Sequence, residues 1–158
     1  MIKLKDILLE GKPPSIFVPR RTEDRLERMI KSYIRNGSKE SLELSNMNLT
    51  ELPEILKDIT VGGHFFCHNN KLTSLINAPK SVDGVFLCSN NKLTSLKGSS
   101  VSVGIINFDC SFNNLTSLAG APKTVGGDFS CGFNDIKFTE EQVRAVCDVK
   151  GKIFVWLS

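Results

Sequence analysis

The sequence predicts an α/β solenoid, a short stack of about five coils of 21–23 residues with a helix capping one end and a helix and strand capping the other. Three observations support this prediction. Four cysteines, Cys67, Cys88, Cys110 and Cys131, recur at spacings of 21, 22 and 21 residues. Each follows a phenylalanine by two residues and precedes an asparagine by three. A helical apolar pattern precedes the repeats, and a helix-capping motif follows them.

The repeat unit places the same residue types at the same positions of successive coils. The columns are Phe65, Phe86, Phe108 and Phe129; Asn70, Asn91, Asn113 and Asn134; Leu72, Leu93, Leu115 and Ile136; and Leu75, Leu96 and Leu118. Residues 42–53 fit the same frame, with Leu44 in the cysteine column and Met47 in the asparagine column. The unit F-x-C-x-x-N-x-L-x-x-L is a form of the leucine-rich-repeat signature.

Stacking explains why each column has its character. One coil cannot bury its own apolar face, so coils pile up about 4.8 Å apart along the strand-pairing direction. We expect the Phe, Cys and Leu columns to point inward, and each Asn side chain to bond backbone groups where the chain leaves the strand. The returning stretches, 77–84 and 120–127, are rich in turn residues and should be extended or turn-like, with Val82 and Val125 packed inward.

The ends of the repeats carry different patterns. Residues 15–40 are predicted to form an N-terminal cap, with a helix over 22–36 that ends at Asn36-Gly37. The repeats occupy residues 41–137, and residues 1–14 are expected to form a mobile arm.

The predicted C-terminal cap covers residues 138–158. Thr139-Glu140-Glu141-Gln142 matches a capping box, which predicts a short helix running to about Cys147. Residues 152–156 are predicted to form a final strand.

The stretches 69–75 and 90–96 both read N-N-K-L-T-S-L. In these stretches and over roughly residues 15–156 the chain resembles small leucine-rich-repeat proteins of large tailed bacteriophages. The resemblance implies the fold and a phage origin, and it implies no particular activity. The third unit departs from the family pattern at residues 98–104, which lack the Ala-Pro pair and are one residue longer, so a small bulge is expected there.

Charge and composition limit the classes of partner. The net charge of +3 is uneven, with +4 in residues 1–40 and −1 in residues 41–137, so a nucleic-acid partner is not favoured. The sequence contains no run of eighteen apolar residues, so no membrane-spanning helix is predicted. The first ten residues are too short and too charged for a secretory signal. We therefore expect a cytoplasmic protein, in the host cytoplasm if phage-encoded, with the virion as an alternative location.

The cysteines are interpreted as a column of small buried thiols. Four-cysteine zinc sites use close pairs, whereas no two cysteines here are closer than sixteen residues. A zinc site and a disulfide between adjacent coils are the two alternatives, and the expected cytoplasmic setting disfavours the disulfide.

Other polar residues carry weaker alternatives. His64 and His68 lie four residues apart on one strand, about 13 Å, which is too far for one metal ion. Either could act as a base, but no neighbour is predicted to activate it. Asp109 and Asp128 supply too few oxygens for calcium and are interpreted as solvated charges. We predict no catalytic, cofactor-binding or metal-binding residue.

The alternation of side chains along a strand predicts a binding surface on the concave sheet. Apolar residues at outward positions often mark interfaces. The predicted partner-binding residues are Phe66, His68, Leu87, Ser89, Asp109, Ser111, Phe112 and Phe133. For Phe112 and Phe133 the alternative is a spine of stacked rings folded over the edge of the coils.

The sequence therefore favours a non-enzymatic protein-interaction module whose partner is a host or virion protein. Three alternatives stay open: a nucleic-acid-associated protein, an enzyme acting through His64 or His68, and a purely structural protein. The nucleic-acid alternative would use the basic residues Arg20, Arg21, Arg25, Arg28, Lys31 and Arg35, and its binding would weaken steeply with salt.

Overall fold

A computed structural model describes residues 21–99 and 105–155, which form a parallel-strand solenoid of about five turns. The described part has two α-helices, α1 (Arg21–Arg35) and α2 (Glu140–Arg144), and a 3-10 helix, Glu54–Leu56. Its strands are β1 (Leu42–Glu43), β2 (Thr60–Val61), β3 (Phe65–Phe66), β4 (Ser81–Val82), β5 (Phe86–Leu87), β6 (Phe108–Asp109), β7 (Thr124–Val125), β8 (Phe129–Ser130), β9 (Asp148–Val149) and β10 (Ile153–Phe154).

Each turn of the solenoid adds one strand to a common sheet. The six strands β1, β3, β5, β6, β8 and β10 pair in that order, and all are parallel. The register is constant, because Phe65, Phe86, Phe108 and Phe129 are successive partners. Two further parallel pairs, β2–β4 and β7–β9, lie in the returning stretches, which are otherwise turn-like as expected. The predicted stacking is confirmed.

The core consists of the columns that the repeat unit predicted. The rings of the buried phenylalanines follow one another with centroids 5.1 to 5.3 Å apart. The cysteine column, Leu72, Leu93 and Leu115, and the inward residues Val82 and Val125 are also buried. Because each side chain packs on its equivalent in the next coil, the same residue type suits every turn.

The asparagine ladder satisfies the backbone where each strand ends, as predicted. The Asn91 side-chain amide donates to the carbonyls of Cys67 and Cys88, at 3.0 and 3.1 Å, and its Oδ1 accepts the Leu72 amide at 2.9 Å. Asn113 repeats this pattern one coil further on. Each of these side chains therefore joins two coils through buried backbone groups.

Helix α1 precedes β1 at one end of the solenoid, and α2 lies between β8 and β9 near the other end. Ile30 of α1 is fully buried, and the Tyr33 hydroxyl lies 2.9 and 2.8 Å from the carbonyl oxygens of Ser38 and Glu40, to which its single proton can be donated. At the other end Thr139 and Gln142 form the predicted capping box. Helix α2 ends at Arg144 rather than near Cys147, because the chain must turn into β9 at Asp148.

One inward assignment was wrong. Ile136 was placed in the buried leucine column, but 40% of it is exposed. No later coil within the described residues stacks on that position, so it is only partly covered. The predicted arm at 1–14, Arg20, most of the predicted bulge at 98–104, and Trp156 lie outside the described residues.

Candidate functional site

The outer face of the six-stranded sheet carries the side chains that alternate with the buried Phe and Cys columns. Phe66 and Leu87 are partners in the β3–β5 register, and both are half-buried. Asp109 and Ser130 continue the same column. The structure therefore brings two large apolar side chains of adjacent coils side by side on this face.

Two histidines flank Phe66. Its ring centroid is 5.6 Å from that of His64 and 6.1 Å from that of His68, and the His68 ring meets it edge to face. Nδ1 of His68 is buried and has no hydrogen-bond partner among the described residues.

A second outward column has a structural role that the sequence interpretation missed. Its side chains accept the backbone amide at the same position of the next coil: Ser41 from His64, at 3.0 Å; His64 Nδ1 from Val85, at 2.9 Å; Asn107 from Asp128, at 2.8 Å; and Asp128 from Lys152, at 2.8 Å. His64 therefore has its Nδ1 lone pair committed to the backbone, and Asp128, which stays partly exposed, also serves as a backbone acceptor.

In several coils a glycine directly precedes the residue of this column along the chain. Its missing side chain leaves room for the column side chain of the preceding coil. A Cβ on Gly84 would overlap His64 Nδ1, and one on Gly127 or Gly151 would overlap the side chain of Asn107 or Asp128. A glycine followed by an outward residue and the inward phenylalanine is the sequence signal that could have revealed these contacts.

The side chain of Asp109, like that of Asp128, is held by a hydrogen bond to the backbone. Its Oδ1 accepts the backbone amide of Ser111 at 2.9 Å, and Ser111 is only 8% exposed. The low exposure of Ser111 does not support the prediction that it offers a contact surface. Ser89 remains half-buried on the outer face.

The edge where the chain leaves each strand has a left-handed backbone position in every coil. The residues there are Asn46, Asn69, Asn90, Phe112 and Phe133, with φ between 53° and 58°. Asparagine tolerates this conformation, whereas a bulky residue there is an outlier. Asn90 donates to Asn69 Oδ1 at 2.6 Å, so these two side chains are joined across adjacent coils.

In the next two coils the left-handed position is occupied by Phe112 and Phe133, whose rings stack on each other. Their centroids are 4.4 Å apart, and their planes are inclined by 8°. They nonetheless remain 55% and 41% exposed. The predicted alternative of stacked rings is thus seen in the geometry, but the stack leaves much of both rings uncovered.

The cysteines are buried thiols whose surroundings disfavour ionisation. Cys67, Cys88, Cys110, Cys131 and Cys147 are all free and buried. Burial raises the pKa of each thiol, to about 12 for Cys131 and about 11 for Cys147, which disfavours the nucleophilic thiolate. Across residues 21–99 and 105–155, no three His, Cys, Asp or Glu side chains are grouped so that they could hold a metal ion.

Neither α-helix of the described residues combines the length and apolar composition that a membrane crossing requires. Comparisons of the chain with models of protein families, with curated proteins and with solved structures returned no match. The geometry of the outer face and of the coil edge is therefore the basis on which function can be argued.

Proposed function

We propose that the protein is a leucine-rich-repeat module that binds another protein and has no catalytic activity of its own. The recurring unit with one cysteine and one asparagine per coil supports the repeat class. Buried Ile30 of α1 and buried Val143 of α2 support the assignment of these helices as end caps. The resemblance of residues 15–156 to phage repeat proteins points to a host or virion protein as the partner, met in the host cytoplasm or on the particle.

The observation that carries the proposal is the Phe112–Phe133 pair. Both residues occupy left-handed backbone positions at which the three preceding coils have asparagine. Backbone outliers of this kind are held in place by the surrounding structure and cluster at functional sites. Two bulky apolar residues at such positions, exposed to solvent, form a surface that suits a partner.

Magnitudes argue against a purely stabilising role for these rings. The left-handed backbone costs about 1–2 kcal/mol for each residue with a Cβ. The stack contributes about 0.5–1.5 kcal/mol, and covering half of each ring contributes about 1 kcal/mol per residue. Gains and costs nearly cancel, so the pair adds little stability to the isolated solenoid.

The outer sheet face supplies the rest of the proposed surface. Phe66 and Leu87 lie side by side in register, with His68 and Ser89 beside them and Asp109 in the next coil. Large apolar side chains within a polar surround are typical of the centre of a protein interface. We propose that a partner contacts this face and the Phe112–Phe133 edge together.

The proposal of a non-enzymatic role rests on how the reactive side chains are used. His64 Nδ1 is engaged by the Val85 amide, and the thiols of the cysteine column are buried with raised pKa values. These groups serve the fold, which supports the proposal for His64 and for the cysteine column.

The test is affinity capture from lysates of infected bacteria, followed by calorimetry with the purified candidate partner. Two variants replace the proposed contacts by residues that other coils carry in the same columns: Phe112→Asn/Phe133→Asn, as in Asn69 and Asn90, and Phe66→Ser/Leu87→Ser, as in Ser130. The control, Ile76→Asn/Val146→Asn, removes exposed apolar side chains elsewhere.

We expect a partner that binds the wild type and the control equally and binds at least one of the two column variants at least tenfold more weakly, about 1.4 kcal/mol. Equal binding by all four proteins, or no partner that survives purification, would contradict the proposal.

A further inference from the structure

A second surface lies between α1 and the 3-10 helix of the first coil, away from the outer sheet face. A cavity of about 540 Å³ is lined there by Arg28, Lys31, Ile34, Arg35 and Ile55. Ile34 and Ile55 are half-buried and pack against the core, so they form an apolar floor. The three cationic residues are exposed and lie on one face of α1, at positions i, i+3 and i+7.

The walls of this cavity are held in place by the fold. The Tyr33 hydroxyl, next to Ile34, lies within hydrogen-bond distance of the Ser38 and Glu40 carbonyls in the loop that follows α1. In the 3-10 helix that carries Ile55, the Leu56 amide donates to the Pro53 carbonyl at 3.0 Å. The cavity is open to solvent, and the packing of Ile34 and Ile55 against the core fixes its apolar side.

Two acidic residues near the cavity are each paired with a lysine. Glu27 bonds Lys31 Nζ at 2.6 Å, and Glu54 bonds Lys57 at 2.6 Å. None of the described residues that line the cavity is acidic. The Lys31–Glu27 pair is more than half exposed, and such pairs contribute little, so an incoming carboxylate can replace Glu27 at small cost.

We propose that this cavity binds an acidic amphipathic segment of a partner protein. One large apolar side chain of the segment packs on Ile34 and Ile55, and its Asp or Glu side chains pair with Lys31 and Arg35. This is recognition of a helix in a groove, with the charges of the rim selecting the partner. The inference adds a second binding surface and does not depend on the proposed function of the sheet face.

Two other occupants suit the cavity less well. A nucleic acid has no apolar anchor for the isoleucine floor, and its phosphates would meet Glu27 on the same helix. The chain's own first twenty residues carry four Lys or Arg and two Asp or Glu, so their charge does not complement the rim.

The test uses three fluorescent fourteen-residue peptides with the same leucine spacing and with Glu, Gln or Lys at all other positions. Fluorescence polarisation measures their binding to the full chain, and amide chemical shifts locate it. We expect the Glu peptide to bind at least tenfold more tightly than the Gln peptide and to shift amides of α1 and of residues 54–57. The Lys peptide should not bind.

Three variants separate charge from apolar contact. Lys31→Glu/Arg35→Glu and Ile55→Ser should each weaken binding of the Glu peptide about tenfold, whereas the control Lys71→Glu/Lys92→Glu should not. Folding of each is checked by circular dichroism. Equal binding of the Glu and Gln peptides, equal loss in the control, or shifts confined to other coils would overturn the proposal. So would a 20-bp DNA that displaces the Glu peptide and is insensitive to Ile55→Ser.

Discussion

The ring of Phe112 lies parallel to the ring of Phe133, 4.4 Å from centroid to centroid, although both residues have a backbone conformation that the preceding coils fill with asparagine. The contact and the strain act in opposite directions on stability. Substitution of this pair can therefore separate its effect on the free energy of unfolding from its effect on the proposed binding of a partner.

We predict that Phe112→Asn/Phe133→Asn changes the free energy of unfolding by less than about 1.5 kcal/mol, because relief of backbone strain offsets the lost stacking and burial. Urea denaturation checks this value. A loss of about 3 kcal/mol or more would instead identify the rings as a stabilising spine, which is the alternative that the sequence left open.

Replacing an asparagine of the buried ladder should lower the free energy of unfolding far more than Phe112→Asn/Phe133→Asn does. Asn113→Ala removes a side chain that donates to the Cys88 and Cys110 carbonyls at 3.1 Å and accepts the Leu93 amide at 3.0 Å. Buried backbone groups left unpaired cost about 1–3 kcal/mol each, so we expect a loss of at least about 3 kcal/mol in chemical denaturation. The neighbouring Asn114→Ala, which loses one exposed bond to Asp135, is the control and should cost less than about 0.5 kcal/mol. Similar losses in both variants would contradict the role of the ladder.

His64 should be replaceable by another acceptor but not by a methyl group. Its Nδ1 accepts the Val85 amide, as Asn107 Oδ1 accepts the Asp128 amide two coils later. We expect His64→Ala to lower the free energy of unfolding by about 0.5–1.5 kcal/mol, and His64→Asn to recover most of that loss. Hydrogen exchange of the Val85 amide provides the local measurement. If exchange in the two variants is equally fast, the side-chain acceptor does not protect this amide.

Stability should fall at alkaline pH because of the buried thiols. Burial raises the pKa of Cys88 well above its ordinary value, and that of Cys131 to about 12. Unfolded thiols ionise above about pH 8.5, so between that pH and the folded-state pKa the native state holds more protons than the unfolded state. The stabilisation is complete below pH 8.5 and is lost as the pH rises.

Urea denaturation at pH 7, 8, 9 and 9.8 measures this loss. Cys88→Ala should reduce the slope of unfolding free energy against pH, by up to about 1.4 kcal/mol per pH unit for the one thiol removed. Burial also raises the pKa of Tyr33, which acts in the same direction at higher pH, so the range stops below 10. An unchanged slope in the variant would rule out Cys88 as a contributor.

Much of the solenoid could be predicted because the repeat constrains it strongly. Phe65 and Cys67 recur in three later coils, and a shift of one residue in any coil would expose both columns. The asparagine that follows is the residue type that can bond backbone groups at the end of a strand, so its role could also be inferred. The exposed Ile136 shows the limit of this reasoning, because burial of a column position requires a following coil.

The sequence by itself determined the period, the inward columns, the helical ends and the outward position of Phe66 and Leu87, because these depend on spacing along the chain. Only the tertiary structure decided what each outward side chain does. His64 and Asp128 accept amides of the next coil, Asp109 accepts the Ser111 amide while Ser111 itself is buried, and Phe112 and Phe133 stack on a left-handed backbone. These contacts depend on the distance between coils and on backbone torsion angles. Neither quantity is encoded in the spacing of residues within one repeat.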